Sequence, residues 1–188
     1  MSDLPARLRA VCDLQMPWVR DSAGRHEYDG RIPDYSVAGV RAALARLGQG
    51  DPLADPHDEA HLAAFEEQLR VAYGELELHR RSPFDHMGAL DLACYDRDYA
   101  PEAERAAATL RQLAAWPEAI ETALATLDLV PAPVAKALTR AVRGLAAGIP
   151  ADAGDIGEKA RAAHDRLVGH IERQAEHGDP DAALGGRG

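Results

Sequence analysis

Apolar residues recur three and four positions apart along nearly the whole of this chain, and no stretch alternates apolar and polar residues with a period of two. The first spacing gathers side chains on one face of a helix, whereas a half-buried strand needs the second. Val134, Leu138, Ala141, Val142 and Leu145 define one such face. Ala160, Ala163, Leu167, Val168, Ile171 and Ala175 define another, with Glu158, Arg161, Asp165, Glu172 and Arg173 mostly opposite. Hydrophobic residues make up 46% of the chain, largely Ala and Leu, and aromatics only 5%, so the core must be assembled from small and medium side chains on closely approaching helices. The fold class that follows is all-α, a multi-helix array or bundle of about seven helices. It is expected to form a single helical domain, or the N-terminal part of a larger one, over 1–178, followed by a flexible Gly-rich tail or cut point at 179–188.

Proline, glycine and short polar residues divide the pattern. Leu4, Leu8, Val11, Cys12 and Val19 lie near helical period, with Pro5 suited to a first turn and Pro17 expected to end or kink the helix. Ser36 is an N-cap for a helix bearing Val37, Val40, Leu44 and Leu47, and Gly48 terminates it. Asp55 and Pro56 begin a long helix carrying Leu62, Phe65, Leu69, Tyr73 and Leu76, expected to stop near Ser82-Pro83. The apolar run from Asp85 to Asp96 fits a short buried helix or an extended segment, and is assigned as helix. Pro101 begins a further helix, which Pro117 is expected to break at Trp116.

A net charge of −10 and a pI near 5.2 disfavour nucleic acid or an anionic membrane as partner, since phosphate neutralisation needs clustered Lys and Arg. Asp3, Arg7 and Arg9 interrupt what a secretory signal would keep apolar, and no run is long enough to span a bilayer, so a cytoplasmic location is expected. Cys12 and Cys94 lie far apart without a C-x-x-C pairing and are read as core fillers. A Gly-rich phosphate loop and a G-x-S-x-G motif are both absent. His57 and His61 would share a helix face, but Glu59 stands where neither H-E-x-x-H nor its inverted form places the acid. His26-Glu27 starts like H-E-x-x-H, yet Gly30 breaks the helix that would carry a second ligand. No metal ligand and no catalytic residue is assigned.

Two polar segments stand apart from the helical pattern. In GRHEYDGRIPDYS, from Gly24 to Ser36, Asp29-Gly30 turns the chain, Pro33 stiffens it, and Asp34 and Ser36 satisfy backbone donors at the next helix start. A functional reading of the same link has His26, Tyr28, Asp29 and Asp34 line a groove that holds a peptide or orients a neighbouring segment. The second segment, Tyr95 to Tyr99, centres on Arg97, read first as a structural ion pair with an acid from elsewhere in the fold. Arg97 is also the planar fork suited to a substrate carboxylate, should one bind. His164 and His170 fall near the apolar side of the last helix and are read as packed or hydrogen-bonded there.

The order HEYDGRIPDYS, a long amphipathic helix, YDRDYAP and an Arg/Ala-rich helix resembles the N-terminal region of the bacterial proteins grouped as domain of unknown function 885, over residues 24–147. The resemblance implies a fold similar to mostly helical zinc peptidases, in which long helices wall a cleft. The zinc motif of that family lies in a later segment with no counterpart here, so no cofactor is implied in this chain and zinc only in a longer parent protein. The implied function is an N-terminal helical scaffold and cleft wall of a metal-dependent peptidase-like protein, not catalytic on its own. Its partner would be the remaining portion of that fold, or a peptide. The alternative is a stand-alone, non-catalytic helical module that binds a peptide or protein. A large uncovered apolar face would favour the first, and a closed bundle with a polar surface the second.

Overall fold

The computed structural model describes residues 4–179, which form α1 (Ala6–Leu14), α2 (Met16–Ser22), α3 (Val37–Leu44), α4 (Pro56–Leu69), α5 (Leu78–Arg81), α6 (Phe84–Leu90), α7 (Glu102–Thr126), α8 (Ala132–Gly144) and α9 (Gly154–His177). No strand occurs among the described residues. The all-α expectation holds, with more and shorter helices in the first half than the periodicity suggested. The tail expected at 179–188 lies, beyond Asp179, outside the described residues. No helix among the described residues is long and apolar enough to cross a membrane.

Local chemistry explains most boundaries. The Ser36 hydroxyl accepts from the Gly39 N–H at 3.0 Å and caps α3, while Asp34 Oδ1 accepts from the Ser36 N–H at 2.9 Å. Asp55 Oδ1 accepts from the N–H groups of His57 (2.8 Å) and Asp58 (3.0 Å), with Pro56 at the first helical position, as expected. The first apolar stripe divides at Gln15, so that Pro17 falls in the first turn of α2 and starts a helix rather than ending one. Helix α4 passes into a π turn at Arg70–Glu75, and Glu77 takes a left-handed conformation (φ 49°), so the long helix stops before Ser82-Pro83.

Helix α7 corrects one expectation, since it runs unbroken through Pro117. Proline there removes the hydrogen bond to the Leu113 carbonyl and costs about 3 kcal/mol. Trp116, Ile120 and Ala123 are all fully buried on its inner face, and burial of a large apolar side chain stabilises by about 1.5–3 kcal/mol each, enough to hold the helix together.

Two main cores result. The first joins α7, α8 and α9 through Leu113, Trp116, Ile120, Leu127, Leu167 and Ile171, with Ala123, Ala135, Ala160 and Ala163 at the close approaches. The second joins α1, α3, α4 and the π turn through Val11, Leu14, Val40, Leu62, Leu69 and Tyr73. Helix α6 packs on α7, and Ile32, in the link before α3, touches both cores. That link and α6 therefore occupy the seam.

Candidate functional site

The two polar segments singled out in the sequence meet at this seam. His26 lies in a single 3-10 turn, His26–Tyr28, and its ring stacks on Tyr99 with centroids 3.8 Å apart and planes 3° from parallel. The Tyr99 hydroxyl donates to Asp29 Oδ2 at 2.7 Å, and His26 Nδ1 lies 3.5 Å from Asp29 Oδ1. Arg97 pairs with the Asp21 carboxylate at 2.7 Å and donates to the Asp21 carbonyl at 2.6 Å. His26, Asp29, Arg97 and Tyr99 together line a cavity of about 240 Å³, with Arg20, Asp21 and Cys94.

The other two predicted residues are placed elsewhere. Tyr28 is fully buried, donates to Asp13 Oδ1 at 3.0 Å, and carries the Arg31 guanidinium over its ring at 5.2 Å. Burial and that bond to Asp13 push its phenol well above the usual range. Asp34 is engaged with the start of α3 and edges a separate depression against α7, lined also by Pro33, Ala115 and Glu118. Gly39 has no room for a Cβ because the Asp34 carboxyl sits against it. The groove expected from four residues of one loop is thus built from His26 and Asp29 of that loop and from Arg97 and Tyr99 of another.

A larger cavity of about 290 Å³ opens beside the first and shares Arg20, Asp21 and Cys94 with it. Its rim carries Trp18 (56% exposed) from α2 and Phe84 (69% exposed) from α6, with Phe65 6.5 Å from Trp18. Gln15, Tyr35 and Asp85 supply polar atoms. The Tyr35 hydroxyl donates to the Leu14 carbonyl at 3.3 Å, and Gln15 Nε2 donates to the Tyr73 hydroxyl at 3.1 Å. Burial pushes the Asp85 carboxyl above the ordinary aspartate range, opposed by its hydrogen bond with Tyr73. Nearby His86 is buried, donates from Nε2 to the His79 carbonyl at 2.9 Å, and is pushed down to about 4 by desolvation, so it is neutral at neutral pH.

Arg20 stands where the two cavities join. It is 3% exposed, and its Nη1 donates to Gln112 Oε1 at 2.9 Å and to the Arg31 carbonyl at 3.2 Å. Its Nη2 lies 3.4 Å from the Asp91 carbonyl, the Tyr95 ring faces the guanidinium at 5.6 Å, and its buried Nε has no acceptor. Gln112 is fully buried, accepts also from the Tyr95 hydroxyl at 2.6 Å, and donates to the carbonyls of Ala89 (2.9 Å) and Asp91 (3.0 Å). One side chain of α7 thereby fixes α6, the turn carrying Tyr95, and Arg20. Among the described residues, no carboxylate lies within ion-pair distance of Arg20.

Sequence reasoning missed Arg20, Trp18, Phe84 and Asp85. A signal for Arg20 existed: Met16, Val19 and Arg20 share the buried stripe of α2, a position that normally holds an apolar residue. His57 and His61 do share an exposed face, with ring nitrogens 3.1 Å apart. Glu59 between them turns away to Arg7 and to the Leu53 N–H at 2.7 Å, and no group of three or more His, Cys, Asp or Glu side chains poised for a metal ion occurs among the described residues. Comparison of the chain with protein-family models, with curated proteins and with solved structures finds no match.

Proposed function

We propose that this chain is a helical peptide-binding module whose site is the pair of joined cavities between α2, α6 and the turn carrying Tyr95–Tyr99, and that it is not catalytic on its own. The observation that carries the reading is the open cavity of about 290 Å³, side-chain sized, rimmed by exposed Trp18 and Phe84 over a polar floor of Gln15, Tyr35 and Asp85. Concave sites with an aromatic lining and a few placed polar groups are the usual form of a ligand pocket. The exposed aromatic side chains Trp18 and Phe84 line this opening and Phe65 lies beside Trp18, which supports a defined site over a broad face awaiting a missing half.

The wall of a larger peptidase-like cleft, with the metal held by another segment, is the second reading. It is favoured by one feature. HEYD and YDRDY, which carry the resemblance to the domain of unknown function 885 family, converge through the His26–Tyr99 stack and the Tyr99–Asp29 bond at the edge of the same site. Both readings put a peptide in the cleft.

The test uses the two tryptophans, of which Trp116 is fully buried and Trp18 stands at the rim. A mixture of short peptides with apolar side chains should protect Trp18 from acrylamide quenching, leave Trp116 unchanged, and be recovered uncleaved by mass spectrometry. Unaltered quenching at millimolar peptide would overturn the proposal. Cleaved peptide would replace a binding role by a catalytic one.

A further inference from the structure

We infer that Arg20 is the receptor for a free carboxylate, so that the cleft takes the carboxylate end of an apolar ligand, with the apolar body held between Trp18 and Phe84. The inference rests on the peptide-binding reading and names the chemistry of the group bound.

Two arginines are buried among the described residues, and they are treated differently. Arg7, 7% exposed, is held by two carboxylates: its Nε and Nη2 donate to Glu66 at 3.1 and 2.7 Å, and its Nη1 to Glu59 at 2.5 Å. Arg20 is more deeply buried at 3% and has only carbonyl and amide oxygens. A buried cation without a counter-ion is costly to maintain, and charged groups in protein interiors are normally paired. A planar guanidinium that lines both cavities and has no carboxylate partner among the described residues matches a free carboxylate in geometry as well as charge.

The surrounding charges leave the role to Arg20. Among the described residues it is the only cation lining the larger cavity, and Arg97, the second in the smaller one, is taken up by Asp21. Of the acids present, Asp21 is neutralised by Arg97 and Asp91 Oδ1 accepts from the Ala93 N–H at 2.9 Å. Asp85 lies in a desolvated setting with the Tyr73 and Tyr35 hydroxyls. The void beside Arg20 is lined by Pro17, Trp18, Phe84 and Gly88, which suits an aliphatic or aromatic body.

The probes are an acetylated tripeptide ending in leucine, as free acid and as C-terminal amide, and 3-phenylpropionate, each titrated against Trp18 fluorescence. A hydrogen bond to a charged group is worth about tenfold to a hundredfold in affinity, and the free acid is expected to exceed the amide by that factor. Arg20→Met should erase the difference between acid and amide, and Arg20→Lys should restore part of it. Should either variant fail to fold, the acid–amide comparison on the unaltered protein decides alone. Comparable binding of 3-phenylpropionate identifies a small carboxylic acid as a sufficient ligand, and binding of the peptide acid only identifies a peptide C-terminus. Equal affinity for acid and amide overturns the role of Arg20 while leaving peptide binding intact. No binding by any probe overturns both.

Discussion

The α7–α9 bundle and the α1–α6 half bury their interiors by different means. The bundle is closed by Leu113, Trp116, Ile120, Leu127, Leu167 and Ile171, with alanines where helices approach. The other half buries Arg7, Arg20, Glu66, His79 and His86 among its apolar residues. Apolar burial is non-directional and insensitive to pH, whereas buried charges depend on particular partners and on protonation. Every residue lining the two joined cavities belongs to the first half or to the turn ending at Tyr99. The bundle also buries Gln112, Thr126 and His164, but the buried Arg and Glu side chains among the described residues all lie in the other half, so the contrast separates a largely apolar stabilising element from one with buried charges, and it can be broken experimentally.

The largest effect is expected at the centre of the bundle. Trp116→Ala removes a fully buried side chain from the middle of α7 and should cost about 3–5 kcal/mol in urea denaturation. Trp18→Ala, at a position 56% exposed, should change stability by less than about 0.5 kcal/mol while weakening ligand binding. If Trp18→Ala proves as damaging as Trp116→Ala, the division into a stabilising bundle and a binding half fails.

The second effect concerns the Arg7 pair. Glu66 is held below the ordinary glutamate range first by its hydrogen bond from Arg7, then by the Gly48 N–H at 2.9 Å, with burial acting against them. A carboxylate with a lowered folded pKa contributes stability above its unfolded value, about 4.5, and loses it as pH falls through the folded value. Glu66→Gln should therefore lower the thermal midpoint at pH 7 by several degrees, less than Trp116→Ala, and the gap from the unaltered protein should narrow below pH 4. A gap constant from pH 7 to pH 3 would sink the ion pair as its cause.

Asp85 should titrate with the opposite sign and a smaller amplitude. Its folded pKa is raised by burial, so the folded state holds a proton that the unfolded chain has released, and stability falls as pH rises from 3.8 toward the folded value. Asp85→Asn keeps an acceptor for Tyr73 and removes that penalty, so it should raise the midpoint slightly at pH 7 and leave it unchanged near pH 3. His86 runs the other way, since its depression to about 4 means that stability is lost as pH falls from 6.5. Measuring Asp85→Asn and His86→Gln across pH 3–7 separates the two slopes, and a destabilised Asp85→Asn at pH 7 would contradict the burial argument.

How much of this was legible beforehand follows the same division. The bundle could be read from the spacing of Val134 to Leu145 and of Ala160 to Ala175, because apolar periodicity is itself the packing instruction. Ser36 and Asp55 were readable as caps because each acts on its own neighbours. The Arg7–Glu66 pair joins residues 59 apart and Arg20–Gln112 residues 92 apart, and no local pattern encodes either. The passage of α7 through Pro117 escaped because helix propensity says nothing of what Trp116 and Ile120 gain from α9. Of the predicted site, His26, Asp29 and Arg97 came together because two dense polar segments happened to fold onto each other. Arg20 went unnoticed because a lone charge inside an apolar stripe reads as noise until its surroundings are known.

The smallest effect bears most directly on the site. Gly88 lies inside α6 and lines the larger cavity across from Pro17, and a Cβ added to it would meet Pro17 Cβ at 3.8 Å, an ordinary contact. Alanine there is sterically allowed, and replacing glycine inside a helix should stabilise by about 0.5–1 kcal/mol. Glycine thus holds a position where alanine would make the helix stronger, at the cost of narrowing the space beside Arg20. Gly88→Ala is expected to raise the thermal midpoint and weaken binding of the free-acid peptide, and Gly88→Leu to abolish that binding with the fold intact by circular dichroism. Full-strength binding by Gly88→Leu would mean that the ligand does not occupy this void, and would move the binding half of the comparison to the smaller cavity around His26 and Tyr99.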